Sequence, residues 1–281
     1  MDFCDLHTHS TASDGTFSPK ELVEKARNIG LGAVALTDHN TLAGLSEFVQ
    51  SAQGTTVRPI PGIEVSTEYE GHEVHIVGLF LTPKTGPELA EHLKVFEQEK
   101  EENNRELVDA LNRAGYRISW EQLRHQVMGR MNRAHIAAAL TEAGYIHSPE
   151  EAFRTILRPD GEFYHPPHCP QSLPVLEMLR DLKICPVLAH PFLSLMPRQL
   201  AQFLPEAKKR GLMGMEVFYS TYDSRTTQTA QAMAEHYGLL PSGGSDFHGT
   251  IKPDIGLGVG RGNLQIPMQW LERLEEASET M

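Results

Sequence analysis

Across 281 residues there is no low-complexity tract and no run of about 18 apolar residues, the length needed to span a bilayer. The expectation is a folded chain without a membrane segment. No basic stretch with an apolar run behind it stands ahead of the strand-like Phe3-Cys4-Asp5-Leu6, so no secretory leader is expected and the cytoplasm is the expected compartment. Cysteine is scarce: Cys4, Cys169 and Cys185 lie far apart with no CxxC pair, which argues against a disulfide framework and against a thiolate zinc site. Positive charge is also short. The 25 Lys and Arg against 37 Asp and Glu leave a formal charge of −12, a poor match for the backbone of long duplex nucleic acid. A small anionic substrate stays compatible, because bound divalent cations can dominate the potential inside a pocket. Neither a Gly-x-Ser-x-Gly elbow nor a P-loop occurs, and no Lys ends a strand pattern.

What is present is an alternation of short apolar runs and helical patterns, the signature of parallel βα units. Ser18-Pro19-Lys20-Glu21 combines a capping box with Pro at the first helical position, and Leu22, Val23, Ala26 and Ile29 mark an apolar face that Gly30 closes. Strands are expected at 33–37, 57–65 and 73–81, the last two joined around Glu70-Gly71, with a helix over 42–52. From Pro83 to about Leu173 only helical signals occur, with start signals at Ser119 and Ser148. Beyond it the alternation resumes, with strands at 185–189 and 213–218 and a helix over 225–237. The expected class is therefore α/β: barrel residues 1–82, a helical insertion 83–173, and barrel residues 174–281.

Potential ligands gather where those strands end: His7, His9, Asp14, His39, Glu64, His75, His190, Asp246 and His248, nine residues in seven segments. In His7-Thr8-His9 the i, i+2 spacing puts both imidazoles on one face of extended chain, where both can reach one metal at about 2.0–2.2 Å. Singly each has a plain structural alternative. His75 within Val74-His75-Ile76-Val77 reads as a hydrogen-bonded core residue, and Asp38 and Asp246 read as helix caps or turn formers. Together they point to metal, because burying that many unpaired ionisable groups costs several kcal/mol each.

These segments resemble the PHP (polymerase and histidinol phosphatase) family of metal-dependent phosphoesterases. Asp5-Leu6-His7-Thr8-His9 with Ser13-Asp14-Gly15 resembles the first motif and Thr37-Asp38-His39 the second; Gly62-Ile63-Glu64 and His75-Ile76-Val77-Gly78 follow, then Ala189-His190-Pro191 and Gly244-Ser245-Asp246-Phe247-His248-Gly249. The resemblance implies a distorted (β/α)7 barrel with an inserted helical domain and two or three divalent metal ions. His7, His9, Glu64 and Asp246 would hold one ion, Glu64 would bridge to a second held by His75 and His190, and Asp14, His39 and His248 would hold the third. Nitrogen and oxygen donors without thiolate suit Mn, Zn or Fe. Such a centre supplies a hydroxide nucleophile at neutral pH and neutralises the phosphoryl oxygens, so no side-chain nucleophile is needed. Asp246 would orient that water or carry its proton.

Specificity would come from the insertion. In Arg130-Met131-Asn132-Arg133-Ala134-His135-Ile136, an Asn cap precedes a helix whose first turn carries Arg133 and His135, where side chains and free amides favour an anion; a surface Arg and a capping-region His are the plain alternative. With Gly161-Glu162-Phe163-Tyr164-His165-Pro166-Pro167, the stretch resembles members that hydrolyse nucleoside phosphates. That makes Arg133 and His135 the expected substrate-binding pair, with Arg130 a substitute for Arg133 and the role of His165 open. The expected substrate is a phosphate monoester of a small nucleotide, AMP or 3′,5′-adenosine bisphosphate. The alternatives are a 5′–3′ exoribonuclease on short RNA and a histidinol-phosphate phosphatase. From other classes come a carbon–nitrogen amidohydrolase and a non-catalytic metal-binding module. His168 is given no role, and Tyr219 and Tyr222 read as rim packing ahead of nucleoside contact.

Overall fold

Most of the apolar runs become strands and the capped amphipathic stretches become helices in a computed structural model that describes residues 2–126, 131, 133–158, 161–164 and 169–281. β1 (Phe3–Asp5) leads to α1 (Pro19–Asn28), β2 (Ala33–Leu36), α2 (Leu45–Ala52), β3 (Arg58–Tyr69) and β4 (His72–Leu79). The capping box forms as read: the Glu21 amide donates to Ser18 Oγ, the Ser18 amide donates back to the Glu21 carboxylate at 2.8 Å, and Pro19 opens the helix. Helices α3 (Thr85–Arg113), α4 (Trp120–Gln126), α5 (Arg133–Glu142) and α6 (Pro149–Arg154) come next. Alternation returns with α7 (Ser172–Asp181), β5 (Cys185–Leu188), α8 (Pro191–Ser194), α9 (Pro197–Lys209), β6 (Gly214–Tyr219), α10 (Ser224–His236), β7 (Leu240–Gly244), β8 (Ile266–Pro267) and α11 (Met268–Glu279). Among the described residues, no helix is long and apolar enough to cross a membrane.

The strands form one sheet in the order β7-β6-β5-β4-β3-β2-β1-β8. Its far edge turns back onto β1: Leu6 N donates to Gly243 O, Asp246 N to His7 O and His9 N to Phe247 O. A side chain at Gly244 would overlap His7, so glycine permits this close seam. β1 to β7 thereby make the expected seven-stranded barrel, with β8 paired antiparallel to β1. The reading of uniformly parallel βα units needs correction at one strand. β4 runs antiparallel to both β3 and β5, whereas β1–β2, β2–β3, β5–β6 and β6–β7 are parallel. Glu70 and Gly71, both at positive φ, make a two-residue hairpin turn, and so short a link leaves no room for a crossover helix. Reversal places the beginning of β4 at the rim where its neighbours end.

Alternation along each strand builds two layers. In β2, Ala33 and Ala35 join the barrel interior while Val34 and Leu36 pack outward with Leu22, Val23 and Ala26 of α1 and Phe48 of α2. The interior cluster continues through Leu6, Ile60, Leu79 and Val187 to Ile266, Leu271 and Leu274. α11 touches β1, β5, β7 and β8, strands from opposite sides of the ring, so it lies across the end where β1 starts and plugs it. The sequence reading above contains neither β8 nor α11.

The chain divides into two compact units, Met1–His92 with Cys169–Met281, and Leu93–His168. The first holds the barrel, and the beginning of α3 belongs to it. The second packs its own core of Leu107, Val108, Leu111, Ile136, Leu140 and Leu157.

Candidate metal centre

Backbone hydrogen bonds continue past the strand ends and pin the candidate ligands to one rim. Thr37 N donates to Thr8 O, Asn40 N to Glu64 O, Ala189 N to His75 O and Asp246 N to His7 O, each at 2.8–3.0 Å. His7 and His9 follow β1, His39 follows β2, His190 follows β5, and Asp246 and His248 follow β7. Two positions differ from a strand-end reading. Glu64 lies in the middle of β3, which runs on to Tyr69, and His75 lies near the start of β4, opposite Ser66. His75 reaches the rim because β4 is reversed. Two of the nine sit in strained backbone, His190 at φ 26° and Asp246 at φ 55°, conformations that cost about 1–3 kcal/mol each and persist where the surroundings enforce them.

Glu64 is the hub. Its Oε2 lies 3.1 Å from His7 Nε2, 3.2 Å from His9 Nε2 and 3.1 Å from His39 Nδ1, and its Oε1 lies 2.9 Å from His75 Nδ1 and 3.0 Å from His190 Nε2. Asp246 Oδ1 is 3.2 Å from His9 Nε2 and 3.3 Å from His248 Nδ1. Asp14 Oδ1 stands 3.3 Å from His248 Nε2, and its other oxygen 4.0 Å from His39 Nε2. The donors fall into four overlapping sets with ligating atoms within 4.8 Å of one another: His9, Asp14, His39 and His248; His7, His9 and Asp246; His7, Glu64 and His190; His39, Glu64 and His75. One carboxylate shared between sets is what adjacent cations require.

The protein alone does not satisfy this cluster. His9 Nδ1, His39 Nδ1, His190 Nδ1 and Glu64 Oε2 are buried without a hydrogen-bond partner, and each such atom costs about 1–3 kcal/mol unless something answers it. Glu64 Oε2 is near three imidazoles without the geometry to bond any of them, and His9 Nδ1 stands 3.7 Å from Asp14 Oδ1. An all-nitrogen-and-oxygen donor set fits divalent cations, and the residues can hold them.

The close packing of carboxylates and imidazoles shifts their titration in both directions. Burial opposes the charged form of His9, yet the carboxylates of Asp246 and Glu64 beside it outweigh burial and carry the imidazole up to about 9. Burial is likewise overcome at His75, where Glu64 and Glu73 bring it to about 10. His39 goes the other way, pushed down to about 3 by burial, with the neighbouring His9 and His75 adding to the fall against Glu64 and Asp14. Despite burial, the surrounding imidazoles hold Asp14, Glu64 and Asp246 well below the usual carboxylate range.

Several supporting residues escaped the sequence reading. Glu216, buried in β6, takes His7 Nδ1 at 2.9 Å and the His190 amide at 2.6 Å, which turns His7 Nε2 toward the centre. Glu73 Oε1 lies 3.0 Å from His75 Nε2, leaving Nδ1 for Glu64. Asp38 caps no helix: it accepts from Ser10 N, Ser10 Oγ and Ser13 Oγ at 2.6–2.8 Å and so orders the loop that carries Asp14. Tyr219 does more than pack, since its hydroxyl donates to Asp246 Oδ2 at 2.7 Å, and Lys252 Nζ donates to the same oxygen at 2.7 Å.

In the helical unit, Arg133 and His135 fall in the first turn of α5. The Arg133 guanidinium lies over the Tyr164 ring, 4.1 Å from its centroid, with Phe153 at 5.6 Å and the Leu157 carbonyl at 3.5 Å. His135 is half-buried. Arg130, Asn132, His165 and His168 lie outside the described residues.

A barrel rim that gathers imidazoles and carboxylates round one shared Glu is the architecture of a metal-dependent phosphoric ester hydrolase, and a solved structure agrees. A putative metal-dependent phosphoesterase from Bifidobacterium adolescentis superposes with a TM-score of 0.84 at 27% identity, covering 96% of this chain and 94% of that one. The chain belongs to the PHP domain family, whose pattern matches residues 5–158. Among its relatives, a 5′-3′ exoribonuclease of Haemophilus influenzae is 31% identical over 87% of this chain and 89% of its own length. A phosphoribosyl 1,2-cyclic phosphate 1,2-diphosphodiesterase of Eggerthella lenta is 31% identical over 91% and 98%. A 3′,5′-nucleoside bisphosphate phosphatase of Chromobacterium violaceum is 29% identical over 87% and 86%.

Proposed function

We propose that this phosphoesterase removes a phosphate from a small nucleotide, AMP or 3′,5′-adenosine bisphosphate, using two or three divalent ions held by His7, His9, Asp14, His39, Glu64, His75, His190, Asp246 and His248. The observation that carries the reading is Glu64 at the meeting point of five imidazoles, with buried polar atoms in the cluster that no protein group answers. Divalent ions of the Mn, Zn or Fe kind would supply an activated water and charge neutralisation on the phosphoryl oxygens. The chain's own part is to place the donors: Glu216 and Glu73 orient His7 and His75, and Asp38 orders the Asp14 loop.

Arg133 and His135 are proposed as the substrate-binding pair. Stacking over Tyr164 holds the guanidinium plane in place, which suits a bidentate grip on a phosphate. The nucleotide assignment rests on the bisphosphate phosphatase relative from C. violaceum. A second reading, trimming of short RNA from its 5′ end, draws on the H. influenzae exoribonuclease, and the same residues would serve it. A turnover screen separates them: AMP, 3′,5′-adenosine bisphosphate, a 5′-phosphorylated oligoribonucleotide, a ribose cyclic phosphate and histidinol phosphate, each with Mn2+. Fastest release from the mononucleotides is the expected result. Preference for the oligoribonucleotide, the cyclic phosphate or histidinol phosphate would overturn the substrate assignment.

A further inference from the structure

Asp246 uses its two oxygens differently. Oδ1 faces the centre, 3.2 Å from His9 Nε2 and 3.3 Å from His248 Nδ1, while Oδ2 accepts from the Tyr219 hydroxyl and from the Lys252 ammonium, both at 2.7 Å. These two donors arrive from separate elements. Tyr219 ends β6 and is buried, its ring 5.3 Å from those of both His190 and Tyr222, so its hydroxyl is held firmly. Lys252 follows the turn Gly249–Ile251 and is a third exposed; that turn is anchored by the Thr250 amide on Thr16 Oγ1 at 2.9 Å.

We propose that Tyr219 and Lys252 act as paired positioning residues that tether Asp246 by its outer oxygen, leaving it to serve the metal centre through Oδ1 alone. This rests on the reading above that the cluster holds divalent ions. The Asp246 backbone is pinned by its amide on His7 O, but its side chain could still rotate and offer both oxygens. Two strong donors on Oδ2 close that option, because turning the carboxylate would break both bonds, one of them to a charged partner. The tether also narrows the role expected for Asp246. Oδ2 is spoken for, so any orientation of the reacting water by Asp246 falls to the oxygen that faces the histidines.

The test uses full-length protein stripped with chelator and titrated with MnCl2 by calorimetry, alongside steady-state kinetics on the best substrate of the screen. Lys252→Met should weaken Mn2+ binding and lower kcat by about 10- to 100-fold, the range for residues that orient a metal ligand, with KM little changed. Lys252→Arg should recover most of the loss, and Tyr219→Phe should show a smaller one. Either donor alone still holds the oxygen in part, so the double variant should lose more than the product of the two single losses. Should Lys252→Met misfold by circular dichroism, Tyr219→Phe carries the same test. Folded Lys252→Met and Tyr219→Phe variants whose Mn2+ affinity and kcat stay within about twofold of wild type, or whose loss falls on KM alone, overturn the tether. A wild-type chain that binds no Mn2+ overturns the metal reading instead, so the two failures are distinguishable.

Discussion

The two ends of the barrel are both buried, and they are completed in opposite ways. At the end closed by α11, Leu271, Leu274 and Ile266 are fully buried against Leu6, Ile60 and Val187, and the chain satisfies itself by contact. At the other end, Glu64, His7 and His9 are as deeply enclosed, yet the cluster they belong to keeps buried atoms with no partner. One end is finished by folding. The other is finished by what it binds, and its strained His190 and Asp246 backbones are part of that cost.

That contrast is broken most severely at the hub. Glu64→Gln removes the carboxylate that five imidazoles share, and phosphate release should fall by roughly 10³-fold or more, the scale of several kcal/mol of lost charge stabilisation. Circular dichroism should show the fold retained, since an isosteric amide replaces the acid. Leu271→Ala attacks the other end: denaturant unfolding should reveal a loss of about 2–5 kcal/mol. Mn2+ affinity under folding conditions should be unchanged, because Leu271 packs in the apolar cluster rather than among the ligands. A large affinity loss in that variant would show the ends to be coupled.

Smaller effects sharpen the comparison. Glu216→Gln loosens His7 without touching the centre directly, and a titration of chelator-stripped protein should give Mn2+ binding weaker by about 10- to 100-fold. The smallest effect is the proton balance. In the metal-free chain His9 and His75 are raised to about 9 and about 10, so both are protonated at neutral pH. A ligand imidazole must be neutral, so cation binding at pH 7 should release protons, and affinity should climb with pH until those values are passed. Calorimetry in two buffers of different ionisation enthalpy reads this directly, and identical heats would contradict it. The stability linkage has the opposite sign: with no metal, the raised imidazoles stabilise the fold fully below about 6.5 and lose that contribution as pH rises through about 9 and 10.

The metal-centre candidates were legible because each follows or interrupts an apolar strand pattern, and because His7-Thr8-His9 carries its spacing locally. The capping box at Ser18 and six of the seven barrel strands were readable for the same reason: they are written within a few residues. The reversed β4 was half-written, in the Glu70-Gly71 turn, whose shortness forbids a crossover. Glu216 was hidden, since an acid inside Gly214–Tyr219 has no local mark separating a ligand's partner from any other strand residue. Tyr219 and Lys252 meet at Asp246 only through the tertiary fold. α11 was readable and missed: Leu271 and Leu274 stand i, i+3 in a helical pattern, and nothing in the chemistry of the ligands drew attention to that end.

The most direct test of a centre completed by cations is phosphate release from 3′,5′-adenosine bisphosphate or AMP by chelator-stripped protein, before and after Mn2+ is returned. The stripped chain should be inactive, and turnover should return in step with bound Mn2+, reaching its limit when the sites round Glu64 are filled. Turnover indifferent to stripping, or Mn2+ bound with no phosphate released, would contradict it.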